Sequence, residues 1–272
     1  MHSTAQRDTS TLDRTERFIP FVLAGIIVFH LFLGITWSHT DATPPYWDEA
    51  WYLYQGAVQY DSLRSGNLPD WYTAWTEMDR TRPSLVPTLT IPFYALFGIN
   101  GDAGLLVNLA ALVLLLLATY GLGASLGGRR TGLLAALLVG SYPVLVGLIH
   151  ILMVELVMVA LVAATLLALW LSNGFRHRGW SIIAGVLIGL GLLTKVLFVA
   201  CVAGPWLVTA LRVVRRTEGR GRREQWINLV ASALGAIIVA SFWYIPNLEP
   251  MLERTLDAGA GAEAAPYGPA DP

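Results

Sequence analysis

Long apolar runs separated by short polar segments dominate the 272-residue chain. A helix needs about 20 consecutive apolar residues to cross the hydrocarbon core of a bilayer, and residues 18–37 meet that requirement. Further crossings are predicted at residues 105–126, 133–149 and 156–171, as a tight pair within 182–211, and at 227–244. The pattern therefore predicts an all-α polytopic membrane protein with about seven transmembrane helices.

The segment between the first two predicted crossings breaks this pattern. Residues 38–82 are rich in Asp, Pro, Trp and Tyr, so they are too polar for the lipid core and too aromatic for a disordered linker. Residues 84–99 are apolar, but the run is short and contains Pro87 and Pro92. We expect residues 38–104 to form one long loop with short interfacial or re-entrant helices.

The distribution of basic residues predicts the orientation in the membrane. Cytoplasmic loops are enriched in Lys and Arg, and three short connections hold such clusters, at residues 129–130, 176–178 and 212–223. If these and the polar tail 1–17 are cytoplasmic, residues 84–99 do not cross. All but five of the 18 Lys and Arg residues are then cytoplasmic, and residues 38–104 are extracytoplasmic.

Three regions follow from this pattern. Residues 1–17 are predicted to be a cytoplasmic tail and residues 18–245 a transmembrane module. Residues 246–272 end in a small-residue, Pro-rich and acidic stretch, and we expect an extracytoplasmic flexible segment that begins a further C-terminal part.

Composition and short motifs exclude several classes of function. The chain is 55% hydrophobic and 14% charged, which is outside the range of soluble domains, and its formal net charge of −1 gives no indication of nucleic-acid binding. The single cysteine, Cys201, excludes an internal disulfide framework and a multi-thiolate metal site. The chain has no P-loop, HExxH, GxSxG or dinucleotide motif, so soluble nucleotide chemistry is not indicated.

The paired acid Asp48-Glu49 is the first candidate for chemistry. It lies in PPYWDEAWYLYQGA, where Asp48 is placed to cap a short helix with aromatic and apolar residues at helical spacing, namely Trp47, Trp51, Tyr54 and Val58. The alternative is a carboxylate that accepts a proton from an acceptor hydroxyl, with the aromatic wall raising its basicity by excluding water. The motif alone leaves both interpretations open.

Glu155 is the second candidate. It is the only acid between Asp102 and Glu218, and it interrupts the apolar run HILMVELVMVAL. An ionisable group in a membrane segment is costly unless it faces a polar cavity or a partner, so a functional role is expected. Glu155 should lie about one turn inside its span, on the same side of the membrane as Asp48.

Two basic residues on the same predicted face could bind a phosphate. Lys195, the only lysine, lies between two apolar arms in GLGLLTKVLF, and it either extends to the membrane surface or neutralises a lipid-linked phosphate. Arg82, in DRTRPSLVP, either anchors the following helix at the surface or binds phosphate oxygens through its guanidinium.

Taken in order, these segments resemble the GT-C superfamily of integral-membrane glycosyltransferases, in particular the bacterial branch similar to protein O-mannosyltransferases and lipid A aminoarabinose transferases. The resemblance covers nearly the whole chain. It rests on WDEAWY, RPSLVPTLTIPFYALFGI, GRRTGLLAALLVGSYPVL and GLGLLTKVLF. Members are commonly about twice this length, so the resemblance implies the family's shared catalytic module.

The resemblance also implies roles for the candidate residues. Asp48 corresponds to the first-loop acid that acts as catalytic base or positions the acceptor, and Glu49 to its neighbour. Glu155 corresponds to a second acid at the outer end of a helix. Arg82 and Lys195 correspond to donor phosphate-binding residues, although a single proline follows Arg82 and Val196 replaces the glycine expected after Lys195.

The implied function is the inverting transfer of a sugar from a polyprenyl-phosphate donor to a hydroxyl acceptor of a protein, lipid or polysaccharide. The protein would work in a bacterial-type plasma (inner) membrane, with its active site on the extracytoplasmic side. Some members of the superfamily use a divalent metal ion and others use no cofactor, and the two acids are compatible with either. The alternative is a non-enzymatic membrane transporter or a lipid-binding assembly protein, in which Glu155 and Lys195 line a transport path.

Overall fold

The computed structural model describes residues 16–215 and 221–260, and these residues contain eleven helices and no strand. The predicted all-α class is thus confirmed. In chain order the helices are α1 (Ile19–Thr40), α2 (Trp47–Arg64), α3 (Leu68–Glu77), α4 (Leu85–Phe97), α5 (Gly101–Gly127), α6 (Arg129–Gly140), α7 (Pro143–Leu148), α8 (Val154–Leu171), α9 (Arg178–Leu192), α10 (Phe198–Val214) and α11 (Arg222–Ala260).

Four helices in the described part of the chain, α1, α5, α8 and α11, are long and apolar enough to cross a membrane. The pair α9 and α10 is shorter, at 15 and 17 residues. The crossing predicted at residues 133–149 is divided into α6 and α7, because Pro143 starts a new helix after the extended residue Tyr142. The count of seven crossings stays a prediction.

Helix α4 has the length expected of an interfacial or re-entrant element. Its 13 residues extend for about 20 Å, which is less than the roughly 30 Å of the hydrocarbon core. It packs closely on α2, since a Cβ at Gly56 would collide with the hydroxyl of Thr90. In the same interface the Thr88 hydroxyl donates a hydrogen bond to Gln59 Oε1 at 2.8 Å. The close contact between α2 and α4 organises the first loop.

The face that α2 buries differs from the aromatic stripe in its sequence. Trp47 and Tyr54 are 88% and 56% exposed, whereas Tyr52 is only 4% exposed. The predicted aromatic wall is therefore not formed by Trp47 and Tyr54. The packing against α4 explains the difference. The close contact with Thr90 requires a glycine at position 56, and Gln59 on the same face of α2 forms a hydrogen bond with Thr88. The buried residues of α2 are Glu49, Tyr52, Gln55, Gly56 and Gln59.

The main core lies between α5 and α8. Leu112, Leu116, Leu156 and Ala160 are each no more than 1% exposed, and they belong to one cluster of buried side chains. Large apolar side chains also cover the outer surface, as at Phe21 of α1, which is 74% exposed. Such an exposed apolar surface is what a helix bundle presents to lipid.

Helix α11 continues well past the crossing predicted at 227–244. The flexible segment expected from residue 246 is therefore wrong for residues 246–260, which extend the helix through Pro246 and Pro250. The remainder of that segment, 261–272, and most of the predicted tail, 1–15, lie outside the described residues.

Contacts with α3 support α11 at its first internal proline. Pro246 has no backbone N–H to offer the Phe242 carbonyl, which accepts a hydrogen bond from the Tyr72 hydroxyl at 3.3 Å. One residue later, the Asn247 amide nitrogen donates to the Thr76 carbonyl at 3.0 Å. The helix persists because the Tyr72 side chain of α3 satisfies the freed carbonyl, and because the Asn247 side chain ties α11 to the backbone of α3.

Candidate active site

Asp48 and Arg82 form the first of two ion pairs. Asp48 lies in the first turn of α2, and its Oδ1 accepts a hydrogen bond of 2.7 Å from Arg82 Nη1. The N-cap residue of α2 is Tyr46, and no side chain caps the helix. The capping role considered for Asp48 is therefore wrong, and its carboxylate is directed to a residue 34 positions later in the chain.

Asp79 fixes the turn that presents Arg82. Its Oδ1 accepts hydrogen bonds from the backbone N–H groups of Thr81 and Arg82, both at 3.0 Å. Its Oδ2 accepts a hydrogen bond from the Trp51 indole at 3.2 Å. The Asp79 carboxylate thus connects the Arg82 segment to Trp51, which lies one helical turn after Asp48 on α2. This connection holds Arg82 close to Asp48.

Glu155 lies in the first turn of α8 and follows an irregular turn held by two buried side chains. The amide nitrogen of Asn108 on α5 donates to the carbonyls of Leu148 and Ile151, at 2.7 and 2.6 Å. The Glu49 carboxylate accepts a hydrogen bond from the Leu152 N–H at 2.9 Å. Contacts from α2 and α5 therefore determine where α8 begins.

Lys195 is presented by the tight turn between α9 and α10. The Thr194 hydroxyl donates to the Gly191 carbonyl at 2.6 Å, and a Cβ at Gly191 would collide with the ring of Phe198. The backbone N–H of Leu85 donates to the Leu193 carbonyl at 3.2 Å. This bond fastens the Lys195 turn to the segment that follows Arg82.

Lys195 and Glu155 form the second ion pair, with 3.0 Å between Nζ and Oε1. Glu155 Oε2 is buried and has no hydrogen-bond partner among the described residues. A buried carboxylate oxygen strongly favours a hydrogen-bond donor or a cation. One oxygen of Glu155 is therefore available for a bound molecule while the other is paired.

Both ion pairs line one cavity of about 420 Å³. The side chains of the pairs are between 33% and 48% exposed, so the cavity is open to solvent. Four of the five residues predicted for the site, Asp48, Arg82, Glu155 and Lys195, thus come together from distant parts of the chain. Two carboxylates and two cations on one wall could bind an anion and a hydroxyl group side by side.

The cavity also contains residues that the sequence did not indicate. Tyr52 follows Asp48 by one helical turn, a spacing that could have indicated it. Met251, Arg254 and Thr255 reach the cavity from the end of α11, in the segment expected to be flexible. Their spacing of three and four residues would have placed them on one helix face, had the helix been predicted to continue.

The surroundings of the cavity raise the pKa values of two residues. The hydrogen bond to Asp48 raises the pKa of Arg82 above its ordinary value, so the guanidinium stays charged. Burial raises the pKa of the Tyr52 hydroxyl, and the charge of Arg82 partly opposes that effect. Tyr52 is therefore a neutral hydrogen-bond donor near physiological pH.

Glu49 does not line the cavity. It is 7% exposed, and its carboxylate faces the turn before α8. Neighbouring residues of a helix point about 100° apart, which separates the two carboxylates of the predicted pair. This position does not favour the catalytic role predicted for Glu49, and we propose instead that Glu49 positions the turn that carries Glu155.

The pH dependence of stability tests this role of Glu49. Burial raises its pKa above the ordinary value of 4.5, so the folded state disfavours the charged form. The contribution of Glu49 to stability should therefore be lost as the pH rises from about 4.5 through the raised pKa. Glu49→Gln retains an oxygen acceptor for the Leu152 N–H but cannot titrate, so its melting temperature in detergent should fall less over that range.

The matched control for this measurement is Glu77→Gln, which changes an exposed acid at the end of α3. Its melting temperature should follow the parental pH profile. If Glu49→Gln also follows the parental profile, the carboxylate of Glu49 is not held in a buried, destabilising environment.

A dedicated metal site would need more ligands than the cavity supplies. Among the described residues, no group of three or more His, Cys, Asp or Glu side chains converges. Asp48 and Glu155 are each paired with a basic side chain. These residues do not fit a protein cage for a divalent cation.

A model of the dolichyl-phosphate-mannose-protein mannosyltransferase family matches residues 81–245, which is more than half of the chain. The matched range contains Arg82, Glu155 and Lys195, whereas Asp48 precedes it. No curated protein and no solved structure gives a significant match. This multi-pass membrane protein belongs to the dolichyl-phosphate-mannose-protein mannosyltransferase family of glycosyltransferases.

Proposed function

We propose that the protein transfers a sugar from a polyprenyl-phosphate donor to a hydroxyl acceptor on the extracytoplasmic face of a bacterial-type plasma membrane, with inversion at the anomeric carbon. The observation that carries the proposal is the convergence of two carboxylate–cation pairs in one cavity. Residues 18–245 would form the core of the catalytic module. Residues 246–257 add Met251, Arg254 and Thr255 to the cavity.

Arg82 and Lys195 are the proposed ligands of the donor phosphate. Both cations are now paired with carboxylates, and these pairs are at least one-third exposed. Exposed ion pairs contribute only about 0–1 kcal/mol each, so little free energy opposes their opening. A phosphate can therefore replace the carboxylates as partner of the two cations, which frees Asp48 and Glu155 when the donor binds.

Asp48 is the proposed general base. The acceptor oxygen forms a bond to the anomeric carbon while the bond from that carbon to the phosphate oxygen breaks. The proton of the acceptor hydroxyl moves to Asp48, and the polyprenyl phosphate leaves with both electrons of the broken bond. Arg82 and Lys195 stabilise the negative charge that develops on the departing phosphate.

Glu155 is proposed to position the acceptor. Its buried Oε2 lacks a partner among the described residues, and an acceptor hydroxyl or amide could donate a hydrogen bond to it. Tyr52 is a neutral donor on the same wall and can bind a sugar oxygen. The cavity thus offers hydrogen-bond partners for both substrates without a nucleotide or a metal ion.

Transfer by the purified protein tests the proposed function. The full chain in detergent would be given polyprenyl-phosphate sugars with a radiolabel in the sugar, together with peptide, lipid and polysaccharide acceptors. We expect the label to move to a hydroxyl acceptor, and the product to have the opposite anomeric configuration. Retention of configuration would contradict direct displacement, and donor binding without transfer to any acceptor would favour the transport or assembly alternative.

Cysteine labelling tests the proposed side of the membrane. A Cys201→Ala background removes the only native thiol. Gly101→Cys and Arg129→Cys then place single thiols at the two ends of the α5 crossing, where a Cβ at Gly101 makes only an ordinary contact of 3.8 Å with Pro45. An impermeant reagent should label position 101 from outside and position 129 from inside. Labelling of position 101 from inside would reverse the proposed orientation.

A further inference from the structure

Two adjoining cavities lie at the end of the bundle opposite the candidate active site. Glu155 is at the start of α8, whereas these cavities are lined by residues at the end of that helix. The larger has a volume of about 690 Å³ and the smaller about 220 Å³. Both are lined by Asn173, Gly174 and Arg212, so they meet at these residues.

The larger cavity is mainly apolar and lies among membrane helices. Its wall comes from α5, α8 and α10, and Trp170 at its edge is 51% exposed. Trp170 lies in the last turn of α8, and tryptophan near the end of a membrane helix is typical of the boundary between lipid chains and headgroups. The lining residues from the three helices are Leu122, Leu166, Leu169, Trp170, Leu171, Pro205, Thr209 and Arg212.

The smaller cavity is basic. Arg176 and Arg212 line it, and both side chains are exposed. Within residues 16–215 and 221–260, neither guanidinium forms an ion pair. The apolar cavity therefore opens toward two positive charges that no carboxylate of the described chain neutralises.

The loop between α8 and α9 lines both cavities and has an uncommon backbone conformation. Asn173, Gly174 and Phe175 have positive φ angles of 48°, 66° and 61°, which is costly for a phenylalanine. Two buried amides of α11 maintain it, since Gln225 donates to the Gly174 carbonyl at 2.7 Å and Asn228 to the Phe175 carbonyl at 2.9 Å. The position of Arg176 relative to Arg212 is thus set by packing.

We propose that these cavities bind an anionic phospholipid of the cytoplasmic leaflet. The phosphate contacts Arg176 and Arg212, and an acyl chain occupies the apolar cavity, whose volume is within the range of about 300–1,000 Å³ of ligand pockets. A soluble phosphate would leave the apolar wall in contact with water. The predicted orientation places the arginines at the leaflet that carries the negative surface potential.

Native mass spectrometry of the full chain in detergent tests the proposal. Phosphatidylglycerol, phosphatidylcholine and soluble glycerol phosphate would each be titrated into the protein. We expect phosphatidylglycerol to remain bound in preference to phosphatidylcholine. Because each basic residue near an anionic surface strengthens binding roughly fivefold, Arg176→Gln together with Arg212→Gln should weaken it roughly 25-fold.

Two further variants separate the cavity from general charge effects. Arg129→Gln removes an exposed cytoplasmic charge outside the cavities and should bind phosphatidylglycerol like the parent. Thr209→Trp fills the apolar cavity without changing charge and should reduce binding. Equal retention of both lipids, equal loss in Arg129→Gln, unchanged binding by Thr209→Trp, or displacement by glycerol phosphate would each overturn the proposal. None of these measurements depends on sugar transfer.

Discussion

Replacement of Asp48 by asparagine is expected to lower the rate of sugar transfer by about 10²–10⁴-fold, because a positioned general base contributes a factor of that size. Asparagine retains an oxygen that can accept the hydrogen bond from Arg82 Nη1, now 2.7 Å from Asp48 Oδ1, but it cannot take the acceptor's proton. The loss should therefore appear in kcat, measured with the radiolabelled donor. The KM for the donor should stay near the parental value or fall, since Arg82 loses a competing negative charge.

Asp102→Asn is the matched control for this measurement. Asp102 is an exposed acid in the same predicted loop, and it does not line the cavity. Its replacement should leave kcat unchanged. Transfer at the parental rate by Asp48→Asn would show that another group removes the proton.

Removal of both cations is expected to have the second large effect. Arg82→Gln combined with Lys195→Met should raise the KM for the donor and lower kcat/KM by at least about 10²–10³-fold, the loss typical of removing one group that stabilises developing charge. The charge on the leaving phosphate would then be without a cation from either ion pair. A donor titration in the transfer assay gives KM and kcat separately.

The kinetic pattern distinguishes this prediction from the loss of the base. Asp48→Asn should change kcat and spare donor binding, whereas the double variant should change both. Arg82→Lys should recover part of the activity, because a point charge remains although the planar guanidinium is lost. Arg64→Gln, at the exposed end of α2, is the control. Unaltered donor KM in the double variant would exclude Arg82 and Lys195 as phosphate ligands.

The isolated charged residues of the membrane segments could be identified from sequence, because the free-energy cost of a charge in an apolar segment depends mainly on the composition of that segment. Glu155 and Lys195 each interrupt an apolar run, and an ionisable side chain in such a run needs a partner whatever the exact fold. The structure supplies that partner, since each is paired with the other at 3.0 Å. The sequence did not indicate this pairing, because 40 residues separate them.

The acids of α2 show where sequence reasoning fails. Asp48 and Glu49 are equivalent in a motif, but the rotation of about 100° between neighbouring helix residues directs Asp48 to Arg82 and Glu49 to the Leu152 N–H. The rotation of the helix about its axis depends on the contact of Gly56 with Thr90. The aromatic spacing predicted that a different face is buried. Trp47 and Tyr54 of that face are instead exposed at the protein surface.

The sequence also predicted the ends of two helices wrongly, in both cases at a proline. Pro143 divides one predicted crossing into two helices, whereas Pro246 does not end α11. A proline removes a backbone donor in both places, so another donor must satisfy the carbonyl four residues earlier. At Pro246 the Tyr72 hydroxyl does so, which extends α11 far enough to bring Arg254 to the cavity.

The sequence by itself determined the class of this protein and the types of residue in its site. Apolar runs long enough to cross a bilayer, with acids and cations at a few interruptions, reflect transfer free energies that act on each segment separately. Only the tertiary structure decided which of these groups share a cavity, that Glu49 faces away from it, and that α11 completes it. Those outcomes depend on contacts between distant segments, where a single glycine or buried amide fixes the rotation or the end of a helix.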